Sequence, residues 1–451
     1  MTTPMLRRTM LAAFLLGAAV TAFASSAPPK RLVLCLDGTW NNPYDEQKRV
    51  GEKTPVIKPS NPLKTCRVVV PFDEASGRIQ VAYYATGVGS MAVYPGKANQ
   101  LLHESDRVLG GAWGAGFERN VEDALSFIVL NYEPGDEVFI FGFSRGAATA
   151  RAVTEFLEWN HGVPKKIDAY YLPVLFRAYI RAQGNPAAAK EAFDKINDDR
   201  GKEHPPHGPI HPMRPISVKY LGVWETVMAL GSRFESKGQH TSPDTRSFYA
   251  GTMPAACVQH ARQALGVDEH RFDFRPEVWT AKQDGQTMEQ RWFAGVHSNI
   301  GGGYLHDGLA DVTFRWILSG AQEQGLKVDE HFVDFYLPKP TQRLYDSYAT
   351  IYKVLDTLRF RVGKGRRDLT KYGDTVQLDP SIIVRMNATL KELDVDQEKP
   401  PVTELYRPQN VIDFLAAQPD LDAYLEKIGA PKLSPDLEQE VAARRVSVRR
   451  P

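Results

Sequence analysis

Ser144 stands between two glycines, Gly142 and Gly146, in the stretch FIFGFSRGAATA. A serine hydroxyl is a weak nucleophile until a neighbouring imidazole takes its proton and a carboxylate orients that imidazole. Both partners are available further along the chain, Glu225 in GVWET and His297 in GVHSNIGGGY. Each of the three follows an apolar run that reads as a strand, and they occur in the order serine, acid, histidine. That order and placement suit acyl transfer on a parallel sheet, where reactive side chains sit on loops at the strands' carboxyl ends. His306 is the reserve base, and Asp307 and Asp311, close to His297 in sequence, are reserve acids.

The elements around Ser144 must hold it in place. Glu133-Pro134-Gly135-Asp136 reads as a turn, Glu137–Phe141 as a fully buried strand and Ala147–Leu157 as a helix rich in small residues. A serine at so sharp a strand-to-helix junction projects above the sheet. The positions two residues to either side must then be glycine, which assigns Gly142 and Gly146 as the glycines of a nucleophile elbow. The plainer reading is a strand-to-helix turn that happens to contain a serine. An anionic intermediate needs backbone N–H donors, one from the residue after the nucleophile and one from the loop after the first strand. These are Arg145 and the segment Gly38-Thr39, with Asp37 placed to hold that loop.

Further strands are expected at Arg31–Leu36, Val68–Val70, Ile79–Ala85, Ile216–Val223 and Gln290–Gly295, and helices at Glu118–Leu130 and Leu309–Gln324. Alternation of this kind predicts an α/β fold with a mostly parallel sheet and helices on both faces. Between 157 and 215, two helical segments and a proline-rich loop read as a cap-like insertion. Residues 327–451 are more polar and less periodic, a C-terminal helical or irregular extension.

Composition narrows the function. The 451 residues carry 55 Lys and Arg against 54 Asp and Glu, a balance that argues against a nucleic-acid binder. Residues 1–24 read as a secretory signal peptide, with Arg7-Arg8, an apolar run from Met10 and a small-residue site at Ala22-Phe23-Ala24. The apolar run falls short of the ~20 residues of a spanning helix, so cleavage and a periplasmic or secreted location are expected. The cysteines Cys35, Cys66 and Cys257 form neither a disulfide framework nor a zinc site. His204, His207 and His211 lie in a Pro/Gly loop without regular ligand spacing, so no metal or cofactor is expected.

The segments LVLCLDGTWNN, FGFSRGAATAR, YLGVWETVMALG, HARQALGVDEHRFDFRPEVW and WFAGVHSNIGGGYLHDGLADVTFRWI occur in an order that resembles a bacterial family of α/β-hydrolase-like domains. That family includes the catalytic domains of type VI secretion phospholipase effectors, and the resemblance spans residues 30–326. It implies a serine-aspartate-histidine triad acting on lipid or phospholipid esters, with peripheral membrane contact. The family's serine maps onto Ser144, its histidine onto His297, and its aspartate onto Glu225, one methylene longer. Asn299 stands where the family carries aspartate. The export signal is a second departure, since an effector loaded from the cytoplasm has no need of one. From another class, a degenerate hydrolase fold binding lipid or an envelope partner would carry the same elements with an unreactive serine.

Overall fold

Strands that are buried on both faces read as continuous apolar runs, and the central strands of this protein do so. The computed structural model describes residues 28–38, 41, 46–47, 56–87, 113–203, 208–227, 251–271, 274–347, 365–394 and 401–448. Among them, one sheet has seven strands: β1 (Arg31–Leu36), β2 (Phe72–Asp73), β3 (Arg78–Ala85), β4 (Glu137–Phe143), β5 (Val218–Trp224), β6 (Val258–Gly266) and β7 (Thr287–Phe293). Their order is β2-β3-β1-β4-β5-β6-β7, and every pairing is parallel except the short β2 with β3. The α/β-hydrolase-like class expected from the sequence is therefore the observed one.

Side chains alternate across the strands and feed two cores. Leu32, Leu34, Leu36, Val138 and Ile140 face α2 (Trp113–Asn131) and α3 (Arg145–Trp159). Val33, Cys35, Phe139, Phe141 and Phe143 face the opposite way, toward α1 (Asn61–Val68) and α7 (Gly308–Glu323). The inserted segment forms α4 (Leu172–Arg181) and α5 (Ala187–Gly201), whose Leu175, Phe176 and Tyr179 join the first core beside α2 and α3. Cys35 is a buried core residue, and all three cysteines are free thiols. No helix among the described residues is long and apolar enough to cross a membrane. Residues 1–24, expected to be a signal peptide, lie outside the described residues.

Two local readings change. Val68–Val70 is not a sheet strand: Pro62 at the start of α1 and the Ser60 hydroxyl, which accepts the Leu63 N–H, nucleate a helix that runs to Val68. Conversely, β6 has the sequence VQHARQALG, without an apolar run, yet it pairs on both sides. Its buried Gln263 is satisfied by Thr226, Gln290 and the Glu277 carbonyl, which makes polar burial tolerable.

The C-terminal portion forms α8 (Pro380–Asn387), α9 (Gln409–Ala417), α10 (Leu421–Lys427) and α11 (Pro435–Val448). They pack a third core that reaches Leu265 and Trp292 of the sheet. Along the outer edge of β7, Trp292 donates its N–H to the Gln377 carbonyl and accepts from Asp379 N–H, both at 2.8 Å.

Candidate active site

β4, β5 and β7 end at nearly the same level, since Phe143 pairs with Trp224, Trp224 with Ala264, and Gly266 with Phe293. Ser144, Glu225 and His297 follow those strands, so the sheet's register brings them to one end of the molecule. α6 (His297–Gly301) begins at the histidine itself.

Ser144 has φ 57° and ψ −119°, backbone that a residue with a side chain rarely adopts. It is held there by its N–H, which donates to the Trp224 carbonyl at 2.9 Å. The flanking glycines answer a steric demand. A Cβ on Gly142 would lie 2.4 Å from the Gly146 oxygen, and one on Gly146 would lie 2.1 Å from the Leu36 oxygen.

The His297 Nε2 lies 2.8 Å from the Ser144 Oγ, and its Nδ1 lies 3.0 Å from the Glu225 Oε2. An ionised carboxylate only accepts, so Nδ1 carries the proton and Nε2 accepts from the serine hydroxyl. Burial pushes His297 below the ordinary histidine value, with Glu225 opposing that shift. The imidazole is then neutral near pH 7 and able to take the serine proton. Phe143 and Phe274 pack on its ring, each with a centroid distance of 4.8 Å.

Glu225, fully buried and itself at φ 50°, accepts from four donors. Oε1 takes Gly266 N–H at 2.7 Å and Arg367 Nη1 at 2.6 Å, while Oε2 takes Arg367 Nη2 at 2.7 Å and His297 Nδ1. Burial pushes this carboxyl up, but the charge and hydrogen bonds of Arg367 outweigh it, and the net shift is downward. The extra methylene relative to the aspartate implied by the resemblance does not prevent contact with His297.

Two residues of this site escaped the sequence reading. Arg367 belongs to the C-terminal extension, with no motif around it. Glu269 accepts from the Arg271 side chain at 2.9 Å, from Ser347 Oγ at 2.9 Å and from the His297 N–H at 3.2 Å, anchoring the start of α6. Its only trace in the sequence was its place in the segment HARQALGVDEHRFDFRPEVW.

The remaining candidates fall elsewhere. Asp307 and Asp311 both pair with the buried Lys64 at 2.6 Å, which removes them as partners of His297. The His306 N–H donates to the Tyr345 hydroxyl, and the imidazole beside Ser144 is that of His297. Gly38 lies against Ser144, where an added Cβ would meet the serine Cβ at 3.1 Å. Its N–H donates to Asp37 Oδ1 at 2.7 Å, so an oxyanion would compete with that carboxylate for it. Asp37 also accepts from the Ser60 and Tyr84 hydroxyls, holding the loop as expected. Thr39 lies outside the described residues, and Arg145 is the first residue of α3. Asn299 is buried and bridges two segments: its side-chain oxygen accepts from Val296 N–H and Tyr345 N–H, each at 3.4 Å. His204 and His207 lie outside the described residues, and His211 Nδ1 is 2.9 Å from Asp168 Oδ2. Among the described residues no group of three His, Cys, Asp or Glu side chains could hold a metal ion.

Comparison with known proteins gives three findings. Residues 30–320 match the family described as T6SS, phospholipase effector Tle1-like, catalytic domain. The uncharacterized protein YEL023C of Saccharomyces cerevisiae is 27% identical over 258 residues, which are 56% of this chain and 33% of that one, so the chain spans about a third of that relative's length. Two solved structures are similar at low identity. An uncharacterized protein from Pseudomonas aeruginosa has a TM-score of 0.37 and 15% identity, covering 96% of this chain and 64% of that one. The Tle1 effector bound to the VgrG spike of the type 6 secretion system has a TM-score of 0.34 and 13% identity, covering 78% of this chain and 84% of that one.

Proposed function

Since the chain belongs to the Tle1-like catalytic-domain family of T6SS phospholipase effectors, we propose that it is a serine hydrolase of lipid carboxylic esters, phospholipids foremost. The observation that carries this reading is the continuous relay from Ser144 through His297 to Glu225, with links of 2.8 and 3.0 Å, on a strained elbow. Ser144 Oγ attacks the ester carbonyl while His297 Nε2 takes its proton. The imidazolium, stabilised by Glu225, returns that proton to the departing alcohol. Water then attacks the acyl-enzyme with His297 again as base, releasing the fatty acid and freeing Ser144. The oxyanion donors in this reading are the N–H of Arg145 and the Gly38-Thr39 segment, where the Gly38 N–H must leave Asp37 Oδ1 to serve. Only the family supports phospholipid over another ester, because the described side chains around Ser144 do not specify a headgroup.

Residues 1–24 have the pattern of an export signal, which supports a periplasmic or secreted enzyme that meets lipid at a membrane surface. Such a signal would carry the chain across the inner membrane without a secretion spike.

The test is labelling of the mature protein with a fluorescent fluorophosphonate, alongside Ser144→Ala, followed by release of fatty acid from phosphatidylethanolamine and phosphatidylglycerol vesicles. Wild-type labelling that Ser144→Ala abolishes, together with fatty-acid release, is the expected result. A folded wild type that neither labels nor releases fatty acid would overturn the enzyme reading in favour of a lipid-binding module.

A further inference from the structure

We propose that Arg367 is a positioning residue for this reaction: gripping both oxygens of Glu225, it keeps the triad acid ionised and aimed, and thereby sets the pH at which His297 is a free base. The inference rests on the reading of Ser144, His297 and Glu225 as the triad. Arg367 itself lies beyond residues 30–320, which match the family.

The geometry is specific. Two parallel N–H···O bonds of 2.6 and 2.7 Å form a fork on the carboxylate, an arrangement that fixes orientation as well as charge. The same guanidinium donates to the carbonyls of Gly266 and Phe274, at the end of β6 and beside the ring that packs on His297. Its own backbone is held by Asn410 Nδ2, which donates to the Arg367 carbonyl at 2.9 Å. The C-terminal extension thus delivers a cation to the centre of the site.

A glutamate needs that help more than an aspartate would. Glu225 is fully buried, and a carboxylate without a compensating cation in such a place takes up a proton. Protonated, it would no longer stabilise the imidazolium that forms when Ser144 attacks. The extra methylene also adds a rotatable bond, which the Arg367 fork and the Gly266 N–H immobilise. Among the described residues, Arg367 is the cation whose charge and hydrogen bonds act on Glu225. The charged and titratable groups acting on this cluster, among the described residues, are Glu269, Arg271 and Tyr372, and Arg275 and Glu277 act in turn on Tyr372. Of these, Arg271 is committed to Glu269 through two side-chain bonds of 2.9 Å.

The sign of the effect follows. Removing the positive charge of Arg367 favours proton uptake by the Glu225–His297 pair, so the pair becomes protonated at higher pH. The acid limb of the kcat/KM profile must then move upward.

The experiment is the pH dependence of p-nitrophenyl butyrate hydrolysis by the full chain, as wild type, Arg367→Gln, Arg367→Lys and Ser144→Ala. For Arg367→Gln we expect kcat to fall about 100-fold with KM unchanged and the acid limb to move to higher pH. For Arg367→Lys we expect a smaller loss of kcat with the limb kept near its wild-type position, because charge survives while the fork does not. An Arg367→Gln profile that superimposes on wild type, or equal limb shifts in both variants, would overturn the proposal. Should Arg367→Gln not fold, the Lys protein decides: wild-type kcat overturns the proposal, and reduced kcat at unchanged KM supports it. Ser144→Ala separates the two levels. If it still turns over, the triad reading fails and the inference with it; if it is inactive while Arg367→Gln matches wild type, only the arginine's role fails.

Discussion

Gly146 approaches the end of β1 so closely that a Cβ there would lie 2.1 Å from the Leu36 carbonyl oxygen. The contact is with backbone, which cannot swing aside as a side chain would. Gly146→Ala must therefore push α3 away from β1, the displacement that would also move Ser144. We expect a loss of stability of about 1–3 kcal/mol, read as a lower denaturant midpoint, with loss of fluorophosphonate labelling even where the protein remains folded. A variant as stable and reactive as wild type would contradict the steric account of the elbow.

On the proposed reading, the 2.8 Å contact between Ser144 Oγ and His297 Nε2 makes the two residues act as a unit. Ser144→Ala and His297→Ala should each lower kcat by about 10⁶-fold, and the double variant should be scarcely worse than either single one. Independent, additive losses measured on a soluble ester would count against a shared proton transfer.

The pH dependence has a definite direction. Burial lowers the proton affinity of His297, so its base form persists below the ordinary histidine value of about 6.5. The acid limb of kcat/KM in the wild type should accordingly lie below that value. A limb at or above it would show that Glu225 dominates over desolvation.

Glu269 links the site to stability. Burial pushes its carboxyl up, but the hydrogen bonds and charge of Arg271 outweigh this and leave it at about 2. A carboxyl depressed in this way stabilises the fold above its unfolded value of about 4.3, and that contribution is lost as pH falls through the window down to about 2. Glu269→Gln leaves Arg271 without its carboxylate and should cost about 3–5 kcal/mol at neutral pH, a gap that closes in acid. Thermal unfolding of both proteins across that range checks it; a gap independent of pH would mean that packing, not charge, is lost.

Glu225→Asp tests the longer acid. Shortening the side chain draws the carboxylate back from His297 Nδ1 and from the Arg367 fork together. We expect kcat to fall by about 10- to 100-fold with little change in KM. Equal or higher activity would mean that the methylene is incidental.

Part of this protein was determined by local sequence. The apolar runs at Arg31–Leu36 and Glu137–Phe141 could only be central strands, and the glycines at 142 and 146 permitted the backbone that Ser144 adopts. The order of Ser144, Glu225 and His297 follows from placing each after a strand of one parallel sheet. Tertiary structure alone decided the rest. β6 contains His260, Arg262 and Gln263, and it becomes an interior strand, paired on both sides, because Thr287, Glu289 and Gln290 of β7 satisfy them. Asp307 and Asp311 follow His297 closely in sequence, yet Lys64 of α1 claims both. Arg367 lies 142 positions from the carboxylate it grips. Periodicity reports which residues leave water, because burial follows from side-chain spacing. It does not report which charge meets which, because a buried carboxylate is stabilised by whichever cation the folded chain brings within hydrogen-bond reach.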